Sequence, residues 1–195
     1  MVISVKNLHS ALFNPVNFEA AQGQCLCIYG ESGSGKTLLL RAIADLDPNE
    51  GSLALDNQAR SNIGADQWRR QVTYLPAESF WWHTRVGEHF ESNDTDWSIL
   101  GLSQQIAEWQ ISRLSSGERQ RLALLRALDH KPKVLLLDEV TANLDEENTL
   151  KVEALIKSCL QQGLIVIWVS HDKAQRKRMA DQSFVIDETG FHKEA

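Results

Sequence analysis

The feature that most constrains this chain is a short apolar run, Cys25-Leu26-Cys27-Ile28-Tyr29, passing directly into Gly30-Glu31-Ser32-Gly33-Ser34-Gly35-Lys36-Thr37. A strand followed by a glycine-rich turn that ends in Lys-Thr has the spacing G-x-x-x-x-G-K-[ST] of a phosphate-binding loop. Glycines at 30, 33 and 35 let the backbone take positive φ and come close to a ligand, so that several N–H groups converge on phosphate oxygens. In such a loop Lys36 reaches the β and γ phosphates and the Thr37 hydroxyl is a ligand of Mg²⁺. Residues 38–46 are apolar nearly all round and predict a buried helix whose positive end faces the anion. A Gly/Ser-rich turn is more often only a turn, but here the whole motif lies between a strand and a helix.

At 195 residues the chain is expected to form a single domain with a large core. Its net charge of −6 and the lack of a Lys/Arg-rich run argue against nucleic acid as a partner. Cys25, Cys27 and Cys159 are an odd set in apolar surroundings, with no His or further Cys nearby to complete a metal site. They read as buried, reduced thiols of a cytosolic protein. Residues 1–13 lack a basic segment followed by an apolar core, so no signal peptide is expected. The longest apolar run, residues 164–169, is far too short to span a bilayer. Work on a membrane therefore requires a partner that supplies the spanning helices.

Residues 2–5, 16–18 and 25–29 read as strands, with turn chemistry at Asn14-Pro15 and Gly23, and form a small β layer leading into the loop. After the turn at residues 47–51, residues 52–55 and 71–75 read as further strands. Residues 79–112 carry Trp81, Trp82, Trp97 and Trp109 among polar residues without a strand pattern. They read as a small, mostly helical subdomain inserted into a core of about residues 1–78 and 113–195. Phe80-Trp81-Trp82-His83 is read as subdomain core, with a landing site for a membrane partner as the alternative.

Leu114-Ser115-Ser116-Gly117-Glu118 opens a helix that continues to Leu128, and Ser115 and Glu118 have capping-box spacing. A cap alone does not explain Gly117 in the first turn, where glycine costs about 1 kcal/mol relative to alanine. A helix start with hydroxyls and bare backbone is also an anion site. Residues 133–137 form a strand apolar on both faces that ends in Asp138-Glu139, at the carboxyl edge where open α/β sheets bind ligands. There Asp138 can hold Mg²⁺ and Glu139 can accept a proton from an attacking water. Asp145, after Ala142-Asn143-Leu144, is explained by spacing alone as an N-cap. His171 follows the apolar strand at 165–170 and falls at the same edge.

With the phosphate loop, Leu-Ser-Ser-Gly-Glu, Leu-Leu-Leu-Asp-Glu, Ala-Asn-Leu-Asp and Ser-His-Asp in this order, the chain resembles the ATP-binding-cassette (ABC) ATPases, the nucleotide-binding subunits of ABC transporters. The resemblance covers nearly the whole chain and implies an α/β P-loop NTPase fold: a central parallel sheet, an N-terminal antiparallel β layer and a small helical subdomain. It implies a head-to-tail homodimer holding each ATP between residues 30–37 of one chain and Ser115, Ser116, Gly117 and Glu118 of the other. It further implies Glu139 as catalytic base, His171 as γ-phosphate contact and Asp145 as a link across the dimer. The function implied is ATP hydrolysis that powers a membrane permease, from the inner face of the cell membrane. Small cassette subunits of two-component bacterial systems, including iron exporters, look closest. The alternatives are a soluble cassette acting on nucleic acid or ribosomes, and an ATP-binding regulator without turnover.

Three departures stand out. The family usually has Gln after the strand at 72–75, as a Mg²⁺ and water contact, whereas this chain has Pro76-Ala77-Glu78. Glu78 is the candidate replacement, because alanine has no polar side-chain atom. Ser116 replaces a usual glycine. Phe13 is the candidate to stack on adenine, in a segment shorter than usual.

Overall fold

The computed structural model describes residues 1–92 and 94–194; Asn93, inside the expected subdomain, and Ala195 lie outside the described residues. The chain opens with β1 (Val2–Ser10), β2 (Phe13–Ala21) and β3 (Cys25–Gly30). Strands β1 and β2 form an antiparallel hairpin, extended by β4 (Glu50–Leu55) and β5 (Gln58–Ala59) into a sheet of order β2-β1-β4-β5. The reversal falls at residues 11 and 12, and Asn14-Pro15, expected as a turn, lies inside β2. The reason is position: β2 is an edge strand, where the missing proline N–H is tolerated.

The second sheet adds β6 (Val72–Leu75), β7 (Val134–Asp138), β8 (Ile165–Val169), β9 (Gln182–Asp187) and β10 (Gly190–Lys193), in the order β10-β9-β3-β8-β7-β6. All but β10 run parallel, so β3, β7 and β8 end on one edge. Because side chains alternate across a strand, each of these divides between two cores. Leu26, Ile28, Leu136 and Ile167 pack toward the first sheet and α1 (Lys36–Ile43). Cys25, Cys27, Leu135, Leu137 and Trp168 pack toward α3 (Ser116–Asp129) and α4 (Glu146–Gln161), α2 being Ala65–Gln71. Cys25 and Cys27 are thus free, buried and on one face, as their spacing of two requires. A hydrogen bond with Cys27 and burial push the Cys25 thiol well above its usual pKa, which leaves it inert.

Between β6 and α3 the helical content among the described residues is four single 3₁₀ turns, Gly87–His89, Trp97–Leu100, Ile106–Glu108 and Ile111–Arg113. Asp96 caps the second through Ser98 N–H, and Gly101, left-handed at φ 68, ends it. Packing holds them instead, with Val86, Trp97, Leu100, Leu102 and Ile106 buried against the α3 side of the sheet. The reading of residues 80–83 as core is overturned: Phe80 is 78% and Trp82 67% exposed, and only Trp81 is half-buried.

Buried His89 shapes that exposed segment. Its Nε2 accepts from the backbone N–H groups of Trp82 (3.1 Å) and His83 (3.0 Å), while Nδ1 lies 3.0 Å from the Arg85 carbonyl oxygen. This is neutral imidazole with its proton on Nδ1. Burial, with Arg126 and His83 nearby, lowers its pKa against the backbone contacts, which raise it. Since the folded-state value lies below the unfolded one, stability is complete above about pH 6.5, the ordinary histidine value, and falls as pH drops through the folded value. Thermal midpoints measured across this range should decline on the acid side for the wild type and less steeply for His89→Gln.

Candidate functional site

The phosphate loop is held open by its neighbours. Gly30 pairs with Ile186 of β9, and a Cβ on it would come within 2.2 Å of the Ile186 carbonyl oxygen. Gly35 (φ 95) is the N-cap of α1, which has no side-chain cap and no acid in its first turn. The first-turn N–H groups are therefore available to an anion, whereas α3 and α4 are capped by Ser115 and Asp145. Ser34 Oγ is buried without a hydrogen-bond partner. Buried Lys36 donates from Nζ to the carbonyls of Gly30 (2.9 Å) and Glu31 (2.7 Å). Burial lowers the Lys36 pKa, and the carboxylates of Glu139 and Asp138 pull it back up. Glu31, Ser32 and Gly33 are exposed and line a cleft that also takes in His171.

Asp138, 4% exposed at the end of β7, receives two O–H donors on one oxygen: Thr37 Oγ1 at 2.8 Å and Tyr74 Oη at 2.9 Å from Oδ2. Burial foremost, then the Asp138 carboxylate, push the Tyr74 phenol far up, so that it stays a donor. Glu139 takes the left-handed conformation (φ 51), which is rare for a residue with a Cβ. That backbone turn carries its carboxylate off the strand line, and Oε1 lies 2.9 Å from His171 Nε2. The two loops beyond them are joined by buried Gln175, whose Oε1 accepts from Thr141 Oγ1 (3.1 Å) and Ser170 Oγ (2.7 Å). Thus Lys36, Thr37, Asp138, Glu139 and His171, distant in sequence, meet at one sheet edge. Sequence reading missed Tyr74 and Gln175. Tyr74 carries no signal in local spacing, because only the register of β6 with β7 sets it on the face of Leu136 and Asp138.

The other expected residues are distributed differently. Ser115 and Glu118 form the full capping box, Ser115 Oγ accepting from Glu118 N–H and the Glu118 side chain from Ser115 N–H. Those bonds, the Ser115 backbone first, hold the Glu118 pKa below its ordinary value. Gly117 has a packing reason invisible in local sequence: a Cβ there would lie 3.2 Å from Leu144 Cδ2. Asp145 is the N-cap of α4, accepting from Asn148 N–H at 2.8 Å. Ser115 and Ser116 are exposed, and among the described residues no hydrogen bond or shared cavity joins residues 115–118 to residues 30–37. A Cβ on Gly35 would lie 3.1 Å from Phe13 Cβ, and Leu12, 71% exposed, stands beside Phe13. Both line a cleft of about 560 Å³ with Leu38 and Ala42 of α1. Glu78 is exposed on the loop after β6 and makes no hydrogen bond to Thr37 or Asp138 among the described residues.

A family profile described as "ABC transporter" matches residues 13–142, the greater part of the chain. The "Probable iron export ATP-binding protein FetA" of Escherichia coli (strain K12) is 34% identical over 177 residues, covering 83% of this chain and 79% of that protein. The "Aliphatic sulfonates import ATP-binding protein SsuB 3" of Pseudomonas savastanoi pv. phaseolicola is 31% identical over 201 residues, covering 95% and 73%. This chain belongs to the ABC transporter family. The cassette hydrolyses ATP to energise a transporter. Its fold matches a dimeric ATP-binding cassette in a post-hydrolysis state with ADP and Pi bound, at TM-score 0.83, 21% identity and coverage of 100% and 98%. It also matches an ATP-bound bacterial Atm1-family ABC exporter at TM-score 0.82 and 20% identity, over 95% of this chain and 37% of the exporter chain. No helix among the described residues of the cassette is long and apolar enough to cross a membrane.

Proposed function

We propose that this cassette binds ATP with Mg²⁺ at the edge formed by residues 30–37, Asp138, Glu139 and His171, and closes head-to-tail on a second copy to drive a permease. The observation that carries this reading is the convergence of Thr37 and Asp138 beside the Glu139–His171 pair, next to an uncapped glycine-rich helix start. A hydroxyl and one carboxylate are hard oxygen donors that suit Mg²⁺, which takes few protein ligands and shares its shell with phosphates and water. Thr37 and Asp138 would hold the metal, which would supply positive charge against the negative charge developing on the transferred phosphoryl group. Lys36 exchanges its loop carbonyls for β and γ oxygens. Glu139 takes the proton from the attacking water, oriented by the His171 ring that contacts it. Phe13 stacks on the adenine, and Leu12 beside it extends the apolar wall.

A second copy is needed because residues 115–118 present hydroxyls and backbone away from their own phosphate loop. Asp145, exposed at its cap, then meets the facing chain. Phe80 and Trp82 form the surface for the permease. Arg126 of α3 stacks on Trp81 (4.3 Å) and Trp82 (4.8 Å), and Gln120 of the same helix donates to the Pro76 carbonyl at 2.9 Å. Pressure on this surface is thereby transmitted along the helix that begins at Ser115. The place of work is the inner face of the cell membrane. One relative is named for iron export and another for sulfonate import, which fits a substrate chosen by the permease.

The test is affinity purification from native membranes in ATP, followed by mass spectrometry. A polytopic membrane protein should accompany the chain. Phe80→Asp combined with Trp82→Asp should lower its recovery roughly tenfold or more, since exposed aromatics of this kind act as interface anchors. ATP hydrolysis by the isolated chain should change less than twofold. Recovery of only soluble partners, ribosomes or DNA would overturn the permease reading.

A further inference from the structure

The metal-holding carboxylate is gripped from a side that the function so far leaves unused. Tyr74 is the third residue of β6, in register with Leu136 of β7, and therefore shares a sheet face with Asp138 two residues further on. Its half-buried ring packs in the core under α1, and its hydroxyl meets Asp138 Oδ2 at 2.9 Å. Thr37, at the start of α1, reaches the same oxygen at 2.8 Å. Two donors on one oxygen fix the carboxylate plane and leave Oδ1 with no hydrogen bond among the described residues. An acceptor so oriented is ready for a cation or its water. Tyr74 also stands three residues before Ala77, whose side chain has no polar atom, and Glu78 beyond it makes no hydrogen bond to Thr37 or Asp138 among the described residues.

We propose that Tyr74 is a positioning residue for Mg²⁺, holding Asp138 in its metal-binding orientation and tying the metal to the end of β6 and the aromatic loop beyond it. The inference rests on the proposed metal site at Thr37 and Asp138. Groups that orient a metal ligand are commonly worth 10–100-fold in metal affinity when removed. Breaking this bond leaves Thr37 as the only O–H donor on Oδ2 among the described residues, and Thr37 must itself turn a lone pair to the ion.

The experiment measures Mg²⁺-dependent binding of a fluorescent ATP analogue by the wild type, Tyr74→Phe and Asp138→Asn. Tyr74→Phe should raise the half-saturating Mg²⁺ concentration about tenfold or more. Metal-free nucleotide affinity should move far less. A second readout needs no variant: the chain has two tyrosines, Tyr29 and Tyr74, so 3-fluorotyrosine labelling gives two ¹⁹F signals. The Tyr74 signal should shift on adding nucleotide with Mg²⁺ and stay in place with nucleotide and a chelator. If the signal ignores Mg²⁺ and Tyr74→Phe binds it within twofold of wild type while Asp138→Asn does not, Tyr74 has no such role and the metal site stands. If Asp138→Asn also binds Mg²⁺ normally, the metal site itself is wrong and the inference falls with it.

Discussion

Glu139→Gln is expected to slow ATP turnover about 10²–10⁴-fold, the usual worth of a positioned general base, while leaving ATP binding intact. Glutamine keeps the size of the side chain, and its Oε1 can still meet His171, now 2.9 Å from the carboxylate. What it lacks is basicity. The left-handed backbone at residue 139 makes the effect specific, because among the described residues Glu139 is the carboxylate paired with His171. Asp138 cannot substitute: it is 4% exposed and both donors on its Oδ2 come from its own chain. With hydrolysis blocked and nucleotide bound, the ATP form should accumulate as a dimer, visible by size-exclusion chromatography with ATP and absent without it. Single-turnover hydrolysis at the wild-type rate would show that the base lies elsewhere.

Lys36→Met should weaken ATP binding roughly 10²–10³-fold, as expected when one partner of a buried charge-assisted contact is removed. Lys36 is 6% exposed and held by the carbonyls of Gly30 and Glu31, so its ammonium is already positioned over the loop before any nucleotide arrives. Little side-chain entropy is then lost on binding. Methionine keeps the apolar stem and the packing but has no donor, so the loop should remain folded. Equilibrium binding of a fluorescent ATP analogue, with thermal unfolding as the control for folding, checks this. Unchanged affinity would mean that backbone N–H groups alone hold the phosphates.

The loop at residues 30–37, the strand ending in Asp138-Glu139, the cap at Asp145 and the capping box at Ser115 were all legible in the sequence. Each depends on residues close together along the chain: a glycine, a hydroxyl or an acid at fixed spacing dictates the local backbone. Elements whose state is set by distant partners were not legible in the same way. Asn14-Pro15 carries turn chemistry, yet lies in a strand because β2 is an edge. Residues 80–83 look like core, yet Phe80 and Trp82 face solvent because Arg126 and His89 hold the segment on the outside.

By itself, then, the sequence determined that this is a phosphate-binding α/β chain of the cassette type and which residues are the candidates for its chemistry, since those signals are local and dense. Only the tertiary structure decided what those residues touch. It set Tyr74 on Asp138, brought Leu144 so close to Gly117 that a Cβ would crowd it, and made Gln175 the tie between the loops carrying Glu139 and His171. Such contacts join residues from 5 to 64 positions apart. They arise from the register of parallel strands and the packing of helices on them, and no spacing along the chain encodes that directly.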